Sequence, residues 1–274
     1  MNTWKSRRIG WVGLAAALVA LALWLAHGPL GDMLLARDET WARIQRDRVF
    51  RVGMDASYPP FEVVDEAGQF VGYDVDLARA LAERWGCRAE FASVSFDGLY
   101  DALRTDKFDL LISALPYDRT LTRDVLYSQS YFNAGEVLVA RSDDIALSTL
   151  ADLGDDAISV ELGSEAHQLA RQLVRDQGLS FTILPQREPE QVVEAVRQGR
   201  ARALICDRVT ANGYLGQADD LRLVGAPLTD APYVIAVRLD APQLLAEINT
   251  ALTEWRDNGF FDDLDRRWFS TISP

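Results

Sequence analysis

The sequence predicts an α/β fold of two lobes, and three observations predict it. Strand and helix patterns alternate from Phe50 to Phe269, which is typical of α/β architecture. Composition is even over residues 48–274, so this part does not divide into separately linked domains. The chain crosses between two blocks near residues 140 and 232. We therefore expect lobe 1 to comprise 48–140 and 233–274 and lobe 2 to comprise 141–232, each a mostly parallel sheet flanked by helices. Two crossover strands suit hinge closure around a ligand.

Lobe 1 shows alternating apolar strands and amphipathic helices. Its most regular helix places Val75, Leu77, Ala78, Leu81 and Ala82 at helical spacing. The predicted strands cover 50–54, 89–94, 108–113, 136–140 and, after the second crossing, 233–237. The predicted helices cover 74–85, 96–103, 243–258 and 260–268.

Lobe 2 repeats the same alternation. Ser164 is a suitable N-terminal cap for a helix that ends near residue 177. The predicted strands cover 158–160, 181–184, 203–206 and 221–224. The other predicted helices cover 188–198 and a segment that begins at residue 209.

Charge and rare residues exclude several classes of function. The net charge is −13, and residues 1–47 hold six basic and four acidic side chains, so the remainder carries −15. Such a body is a poor partner for nucleic acid. With His27 and His167 as the only histidines, a zinc site or a catalytic His triad is not expected, and we expect no cofactor. His167 is expected to be a partly exposed helix residue. Cys87 and Cys206 fall in different lobes and are expected to be separate thiols.

The N-terminus carries a membrane-targeting pattern. A basic segment at 1–8, predicted to be cytoplasmic, precedes an apolar core at 9–26 whose helix would be about 27 Å long. That length nearly matches a bilayer core of about 30 Å. We therefore predict a transmembrane helix over 9–27 and a linker over 28–47, in which residues 38–44 could form a short amphipathic helix with Trp41 and Ile44 on one face.

Two interpretations of this apolar segment remain open. A cleaved signal peptide has an apolar region of about 7–15 residues and ends in a small-x-small site. Here Ala20-Leu21-Ala22 is followed by further apolar residues, which favours an uncleaved signal anchor. Either way the body is expected to be exported, with a periplasmic location and, for the anchor, attachment to the cytoplasmic membrane.

A series of motifs in a fixed order carries a family resemblance. The motifs are Asp55-Ala56-Ser57-Tyr58-Pro59-Pro60-Phe61, Gly72-Tyr73-Asp74-Val75-Asp76, Phe96-Asp97-Gly98-Leu99, Phe108-Asp109-Leu110-Leu111-Ile112-Ser113-Ala114-Leu115, Val160-Glu161-Leu162-Gly163-Ser164, Ala203-Leu204-Ile205-Cys206-Asp207 and Asn258-Gly259-Phe260-Phe261. In this order they resemble the bacterial extracellular solute-binding proteins of family 3, over residues 48–274. The resemblance implies a type II periplasmic-binding-protein fold with one ligand cleft between the lobes.

The resemblance also implies ligand-binding residues in lobe 1. Asp55 and Tyr58 lie in the loop after the first strand, which borders the cleft in open α/β sheets, and the family uses the aromatic to cover the ligand. Phe96 matches the apolar residue that forms another wall of the ligand cleft in the family. Ser113 and Leu115 end a buried strand, where a hydroxyl and backbone groups would face the ligand. The alternatives are that Tyr58 only packs the Pro-Pro turn and that Ser113 only satisfies a turn.

Lobe 2 supplies the other implied ligand residues. Ser164 and Glu165 open a helix whose free N–H groups suit a carboxylate. Asp207 matches the acid that takes a ligand α-amino group. Both Ser164 and Asp207 are also suited to helix capping, and the two roles are compatible.

One expected residue is missing. Eight residues after Ser113, family members carry an arginine that binds the ligand α-carboxylate, and here Leu121 stands at that position. Arg119 and Arg123 lie two residues either side, and we expect one of them to reach the ligand. Family members often carry polar residues directly after the position of Ser113, and this sequence has Ala114 and Pro116 there instead.

These patterns predict the substrate-binding component of an ABC-type importer. The ligand is expected to be a small zwitterionic solute such as an amino acid, and the partners are ABC permease subunits and, through the N-terminal helix, the membrane. No catalysis is expected. The alternatives are a cyclohexadienyl or arogenate dehydratase-like enzyme on the same fold, with Glu165 as general acid, and a ligand-sensing module.

Overall fold

The computed structural model describes residues 38–269 and shows two α/β lobes. The helices are α1 (Glu39–Asp47), α2 (Tyr73–Trp85), α3 (Leu99–Arg104), α4 (Glu165–Gln177), α5 (Pro189–Arg197), α6 (Arg208–Gln217), α7 (Pro242–Asp257) and α8 (Phe260–Phe269). The strands are β1 (Val49–Met54), β2 (Ser57–Tyr58), β3 (Glu62–Val64), β4 (Phe70–Val71), β5 (Arg88–Ser93), β6 (Leu110–Leu111), β7 (Val125–Tyr127), β8 (Phe132–Asn133), β9 (Glu136–Arg141), β10 (Ala157–Glu161), β11 (Thr182–Gln186), β12 (Ala203–Asp207), β13 (Leu221–Val224), β14 (Pro232–Tyr233) and β15 (Ala236–Arg238).

The two lobes are built on the same sheet plan. Lobe 1 holds a five-stranded sheet in the order β5-β1-β6-β15-β7, and lobe 2 holds one in the order β11-β10-β12-β9-β13. In each sheet the second strand is parallel to both neighbours and the fourth strand is antiparallel to both. The sheets are therefore mixed, where the sequence pattern suggested mostly parallel ones. The reason is that β9 and β15 follow the crossovers, so each enters its sheet from the edge at which the parallel strands end.

The first crossover lies slightly earlier than predicted, and the second lies at residues 232–233, close to the predicted position. β8 pairs antiparallel with β14, so the outgoing and returning connections run side by side. β9 pairs entirely within the lobe 2 sheet, which places the first crossing before Glu136, not at residue 140. The predicted strand over 233–237 is divided, because Tyr233 pairs in the hinge and Ala236 pairs in the sheet of lobe 1.

The hinge connections approach each other closely at Gly135. A Cβ atom built on Gly135 would lie 1.9 Å from the backbone oxygen of Thr229. The Oδ1 atom of Asn133 accepts the backbone N–H groups of both Gly135, at 2.9 Å, and Ala231, at 3.0 Å. One side chain thus joins the two crossovers.

The segment before residue 48 contains the short amphipathic helix that the sequence allowed within the predicted linker, and this helix is part of lobe 1. Asp38 caps α1 by accepting the Trp41 N–H, and its second carboxylate oxygen accepts the Leu244 N–H at 2.9 Å. Ile44 is fully buried in the lobe 1 core, and Trp41 packs edge-on against Trp85. Helix α1 therefore belongs to lobe 1 and is docked against α2 and α7.

Within residues 38–269, no helix is long and apolar enough to cross a membrane. The predicted transmembrane helix over 9–27 lies outside the described residues. Cys87 and Cys206 lie in different lobes and are unpaired thiols, as the sequence favoured.

Candidate functional site

Two cavities lie at the strand ends of the two lobes, where the fold places a ligand cleft. The lobe 1 cavity has a volume of about 320 Å³ and is lined by Asp55, Ser57, Tyr58, Glu62, Phe96, Ser113, Ala114, Pro116 and Tyr233. The lobe 2 cavity has a volume of about 200 Å³ and is lined by Glu136, Glu161, Ser164, Glu165, Ala166, Pro189, Val192, Ile205, Cys206, Asp207, Thr210 and Tyr214. Each lobe thus presents its own half of a binding site.

The lobe 1 cavity has an aromatic platform beside one carboxylate. Tyr58 is 44% exposed and Phe96 is 42% exposed, which is unusual for large apolar rings. Tyr58 stacks on Phe61, with ring centroids 5.6 Å apart. The carboxylate of Asp55 accepts the Ser57 hydroxyl at 2.8 Å and the Phe96 N–H at 2.9 Å, so it is fixed at the base of the platform.

Ser113 connects this cavity to a buried pair of carboxyl groups. Its hydroxyl donates to Glu62 Oε1 at 2.7 Å and accepts the Asp55 N–H at 2.9 Å. Asp74 lies behind Glu62, and its Oδ2 atom accepts the Ala114 N–H at 2.6 Å and the Tyr131 hydroxyl at 2.9 Å. Burial and the neighbouring charge of Asp74 raise the pKa of Glu62, and burial raises the pKa of Asp74. The pair therefore holds a proton at neutral pH.

Two helix N-termini border the lobe 2 cavity, and each is capped by the side chain of its own N-cap residue. Ser164 accepts the His167 N–H at 3.1 Å, and its hydroxyl donates to the Glu161 carbonyl at 2.8 Å. Asp207 caps α6 by accepting the Thr210 N–H at 2.9 Å and the Thr210 hydroxyl at 2.6 Å. A carboxylate has about four acceptor positions, so Asp207 keeps acceptor capacity for a ligand.

Glu136 lies behind Asp207 in an unusual position. The two acids are directly opposite each other on the antiparallel strands β9 and β12, and like charges so placed are destabilising. The Glu136 side chain lines the cavity although the residue is only 7% exposed, and its Oε2 atom has no hydrogen-bond partner. Burial, with added repulsion from Asp207 and Glu165, raises the pKa of Glu136 to about 7.

The linings of the two cavities are strongly acidic. Lobe 2 contributes four carboxyl side chains and lobe 1 contributes two, and among the described residues neither lining includes Arg, Lys or His. His167 is a half-buried helix residue, as expected, and its Nδ1 atom accepts the Gly163 N–H at 3.1 Å. The site is therefore suited to a positively charged ligand.

Most of the residues singled out from the sequence reach these cavities. Seven do so, and their contact with a ligand stays a prediction: Asp55, Tyr58, Phe96, Ser113, Ser164, Glu165 and Asp207. Leu115 is fully buried in the apolar core, and its carbonyl accepts the Val234 N–H. Arg119 and Arg123 are exposed and line neither cavity.

The local structure explains why the arginines do not turn inward. Asp118 accepts the Thr120 N–H at 2.7 Å and starts a 3-10 turn over Arg119–Leu121. Leu121 packs against the apolar cluster that contains Leu99, so the turn is fixed with its leucine toward the core. Arg119 and Arg123 therefore lie outside both cavities in this structure, and contact of either with a bound ligand stays a prediction.

Sequence reasoning missed several lining residues. Glu136 opens the apolar strand Glu136-Val137-Leu138-Val139-Ala140, and an acid at the first position of such a strand is a detectable signal. Glu161 ends β10, and Tyr233 lies at the second crossing. The motif that contains Glu161 gives no sign that this side chain faces the cavity, and the apolar pattern around Tyr233 predicts only a strand.

Comparisons with known proteins agree with this architecture. The family described as bacterial extracellular solute-binding proteins, family 3, matches residues 50–271. The chain is 31% identical over 222 residues to the arginine-binding extracellular protein ArtP of Bacillus subtilis, covering 80% of this chain and 85% of that protein.

Solved structures show the same two-lobe arrangement. An ancestral cationic amino acid solute-binding protein matches with 31% identity and a TM-score of 0.58, covering 84% of this chain and 99% of that one. The L-cystine solute receptor of Neisseria gonorrhoeae, in its unliganded open conformation, matches with 25% identity and a TM-score of 0.69, covering 84% of this chain and 96% of that one.

Proposed function

Because the chain belongs to the bacterial extracellular solute-binding proteins, family 3, we propose that it captures a small cationic solute of the amino-acid type for an ABC importer. The observation that carries this proposal is the acidic lining of both cavities, neither of which includes a basic side chain from the described residues. Relatives named for arginine and for cationic amino acids support it.

Capture occurs by closure of the two lobes about the hinge. Tyr58 and Phe96 offer exposed ring faces in lobe 1, and a cation over such a face gains about 0.5–2 kcal/mol. Asp207 and Glu165 meet the same ligand from lobe 2. Since neither half encloses a solute alone, the ligand favours the closed form by contacting both halves at once.

A thermal-shift screen of the full chain tests this function. We expect arginine, lysine, ornithine and their decarboxylated amines, as a group, to include stabilising ligands, and aspartate and glutamate to have no effect. A ligand at 100 times its Kd raises the free energy of unfolding by about 2.7 kcal/mol. Stabilisation by the acidic amino acids, or by none of these compounds, would contradict the proposal.

Binding without chemistry is the role that we assign to the cleft. Glu165, the only acid that the sequence offered as a catalyst, lies in the first turn of α4, where an acidic side chain favours the helix. The named relatives are binding proteins. After incubation of the protein with prephenate or arogenate, we expect the ultraviolet spectrum of each compound to be unchanged. Formation of an aromatic product would overturn this assignment.

We also propose that residues 9–27 anchor the protein in the cytoplasmic membrane, close to its permease. The apolar length and the basic N-terminal flank support an uncleaved helix. The protein should then stay with membranes in high salt and retain its N-terminus. N-terminal sequencing that starts between residues 20 and 40 would show a cleaved signal peptide instead.

A further inference from the structure

We propose that the cleft is built for a solute with a cationic nitrogen at each end and no carboxylate, such as an aliphatic diamine or a guanidino-amine. This inference rests on the proposed function: it keeps the cationic solute and the ABC importer, and it replaces the amino acid by the corresponding amine without a carboxylate. An α-amino acid brings a carboxylate into the closed cleft, and the structure offers that carboxylate few hydrogen-bond donors and, among the described residues, no basic side chain from the two linings.

The acids of lobe 2 form an incomplete site that a cation would complete. Glu136 and Asp207 face each other across neighbouring strands, with Glu165 at the start of α4 beside them. Most buried polar atoms have hydrogen-bond partners, yet Oε2 of the nine-tenths-buried Glu136 has none. An ammonium group with three N–H donors can satisfy this oxygen and also pair with Asp207. Such a ligand relieves the repulsion that the free protein retains.

The serine and threonine hydroxyls around the cleft are already engaged, and the hydroxyls of Tyr58 and Tyr233 in lobe 1 interact with each other. The Ser113 hydroxyl donates to Glu62, the Ser164 hydroxyl donates to the Glu161 carbonyl, and the Thr210 hydroxyl donates to Asp207. The Ala114 N–H, at the end of the lobe 1 strand, donates to Asp74. A ligand carboxylate needs donors, because a buried charge without partners is strongly unfavourable.

The N-terminus of α4 is the main place left for a carboxylate, and its surroundings oppose one. The Gly163 N–H donates to His167, and the His167 N–H is capped by Ser164. The remaining N–H groups of the first turn lie beside the carboxylates of Glu161 and Glu165. Repulsion from these two acidic side chains opposes the benefit that a ligand carboxylate would gain from the helix dipole.

Lobe 1 suits the second cationic end and the carbon chain between the two. Asp55 is held rigidly by Ser57 and Phe96, and its carboxylate faces the cavity beside Tyr58. The exposed rings of Tyr58 and Phe96 can cover methylene groups as well as a cation. A chain with an amine or guanidinium at each end therefore finds an acid in both lobes and an apolar surface between them.

Matched ligand pairs that differ only in the carboxylate test this inference. Isothermal titration of the full chain would compare arginine with agmatine, lysine with cadaverine and ornithine with putrescine. We expect the amine of at least one pair to bind ten times more tightly than its amino acid. If the amino acid of every binding pair is equal or better, the ligand class is wrong and the proposed function stands. If no member of any pair binds, both are wrong.

Removal of one lobe 2 charge tests whether the acidic side chains cause the preference for the amine over its amino acid. Glu136→Gln should reduce the preference for the amine over its amino acid at least fivefold, because it removes an acid that favours the ammonium and repels the carboxylate. Asp219→Asn is the matched control, since Asp219 is exposed in lobe 2 and lines neither cavity. An unchanged preference in Glu136→Gln, or an equal change in the control, would overturn the role of the acidic cluster.

Discussion

The two halves of the cleft share one sheet plan but treat their acidic side chains differently. In lobe 1, Glu62 and Asp74 are buried, hold a proton between them and are hydrogen-bonded to Ser113 and Tyr131. In lobe 2, the carboxylates at the cavity have few partners, and Glu136 has an unpaired oxygen. Glu62 Oε2 and Asp74 Oδ1 also lack a partner outside the pair, but these two carboxyl groups interact with each other, whereas the unpaired oxygen of Glu136 belongs to a side chain that lines the cavity. The unpaired carboxyl oxygens of lobe 1 are thus part of a protonated pair, and that of lobe 2 is placed where a ligand can pair with it.

The largest effect should separate two phenylalanines of lobe 1. Phe61 is fully buried among the rings of Tyr73, Phe132 and Phe269, so Phe61→Ala should lower the free energy of unfolding by about 3–5 kcal/mol. Phe96→Ala should leave the stability within about 0.5 kcal/mol and weaken ligand binding instead.

Urea unfolding and titration with the best ligand from the thermal-shift screen measure both quantities. Equal losses of stability in the two variants would show that Phe96 is a core residue and not part of the platform.

The second effect concerns charge in lobe 2. Asp207→Asn removes the charge but keeps a good N-cap for α6, so the fold should remain intact. Loss of a charge-assisted contact should weaken binding by about 2–3 kcal/mol, which is roughly 100-fold. Asp55→Asn makes the corresponding change in lobe 1. If neither variant loses affinity by titration calorimetry, the ligand is not held by carboxylates.

The third effect is a gain in stability. The pKa of Glu136 is raised from 4.5 to about 7, so the contribution of this one group to the stability of the ligand-free protein is full below pH 4.5 and is lost as pH rises through 7. Glu136→Gln should therefore raise the free energy of unfolding by about 2 kcal/mol at pH 8 and change it little at pH 5.

Urea unfolding at the two pH values, with Asp219→Asn beside it, checks this difference. A gain of the same size at both pH values would mean that the effect does not come from the ionisation of Glu136.

The smallest effect should come from the two arginines near the family's carboxylate-clamp position. Arg119 and Arg123 are exposed and line neither cavity, so Arg119→Ala and Arg123→Ala should change affinity less than twofold. A loss of tenfold or more in one variant, restricted to ligands with a carboxylate, would show that the closed form draws that arginine into the cleft and would favour amino acids over amines.

The sequence predicted the lobes, most elements and seven of the residues that line the two cavities, and the elements could be predicted because their patterns are local. The helix from Tyr73 to Trp85 follows apolar spacing, and Ser164 and Asp207 carry the usual capping chemistry. The small sheet of β2, β3 and β4 was not predicted, because strands of two or three residues leave almost no periodic pattern.

What sequence reasoning could not reach depends on contacts between distant segments. The proximity of Glu136 to Asp207 arises from the register of β9 against β12, which no local pattern contains. The engagement of the Ser113 hydroxyl by Glu62 joins residues 51 positions apart. The outward direction of Arg119 in this structure depends on how Leu121 packs, which spacing alone does not reveal.

The connection made by Asn133 has a mechanical consequence. Its Oδ1 atom accepts an N–H group from each crossover, and Gly135 lies too close to Thr229 for the strands to slide independently. We therefore expect the two crossovers to bend together about one axis. Arrangements in which one crossover bends without the other are disfavoured. Under the proposed function, a permease that contacts both lobes would detect bound solute from the orientation of lobe 1 relative to lobe 2, without contacting the solute itself.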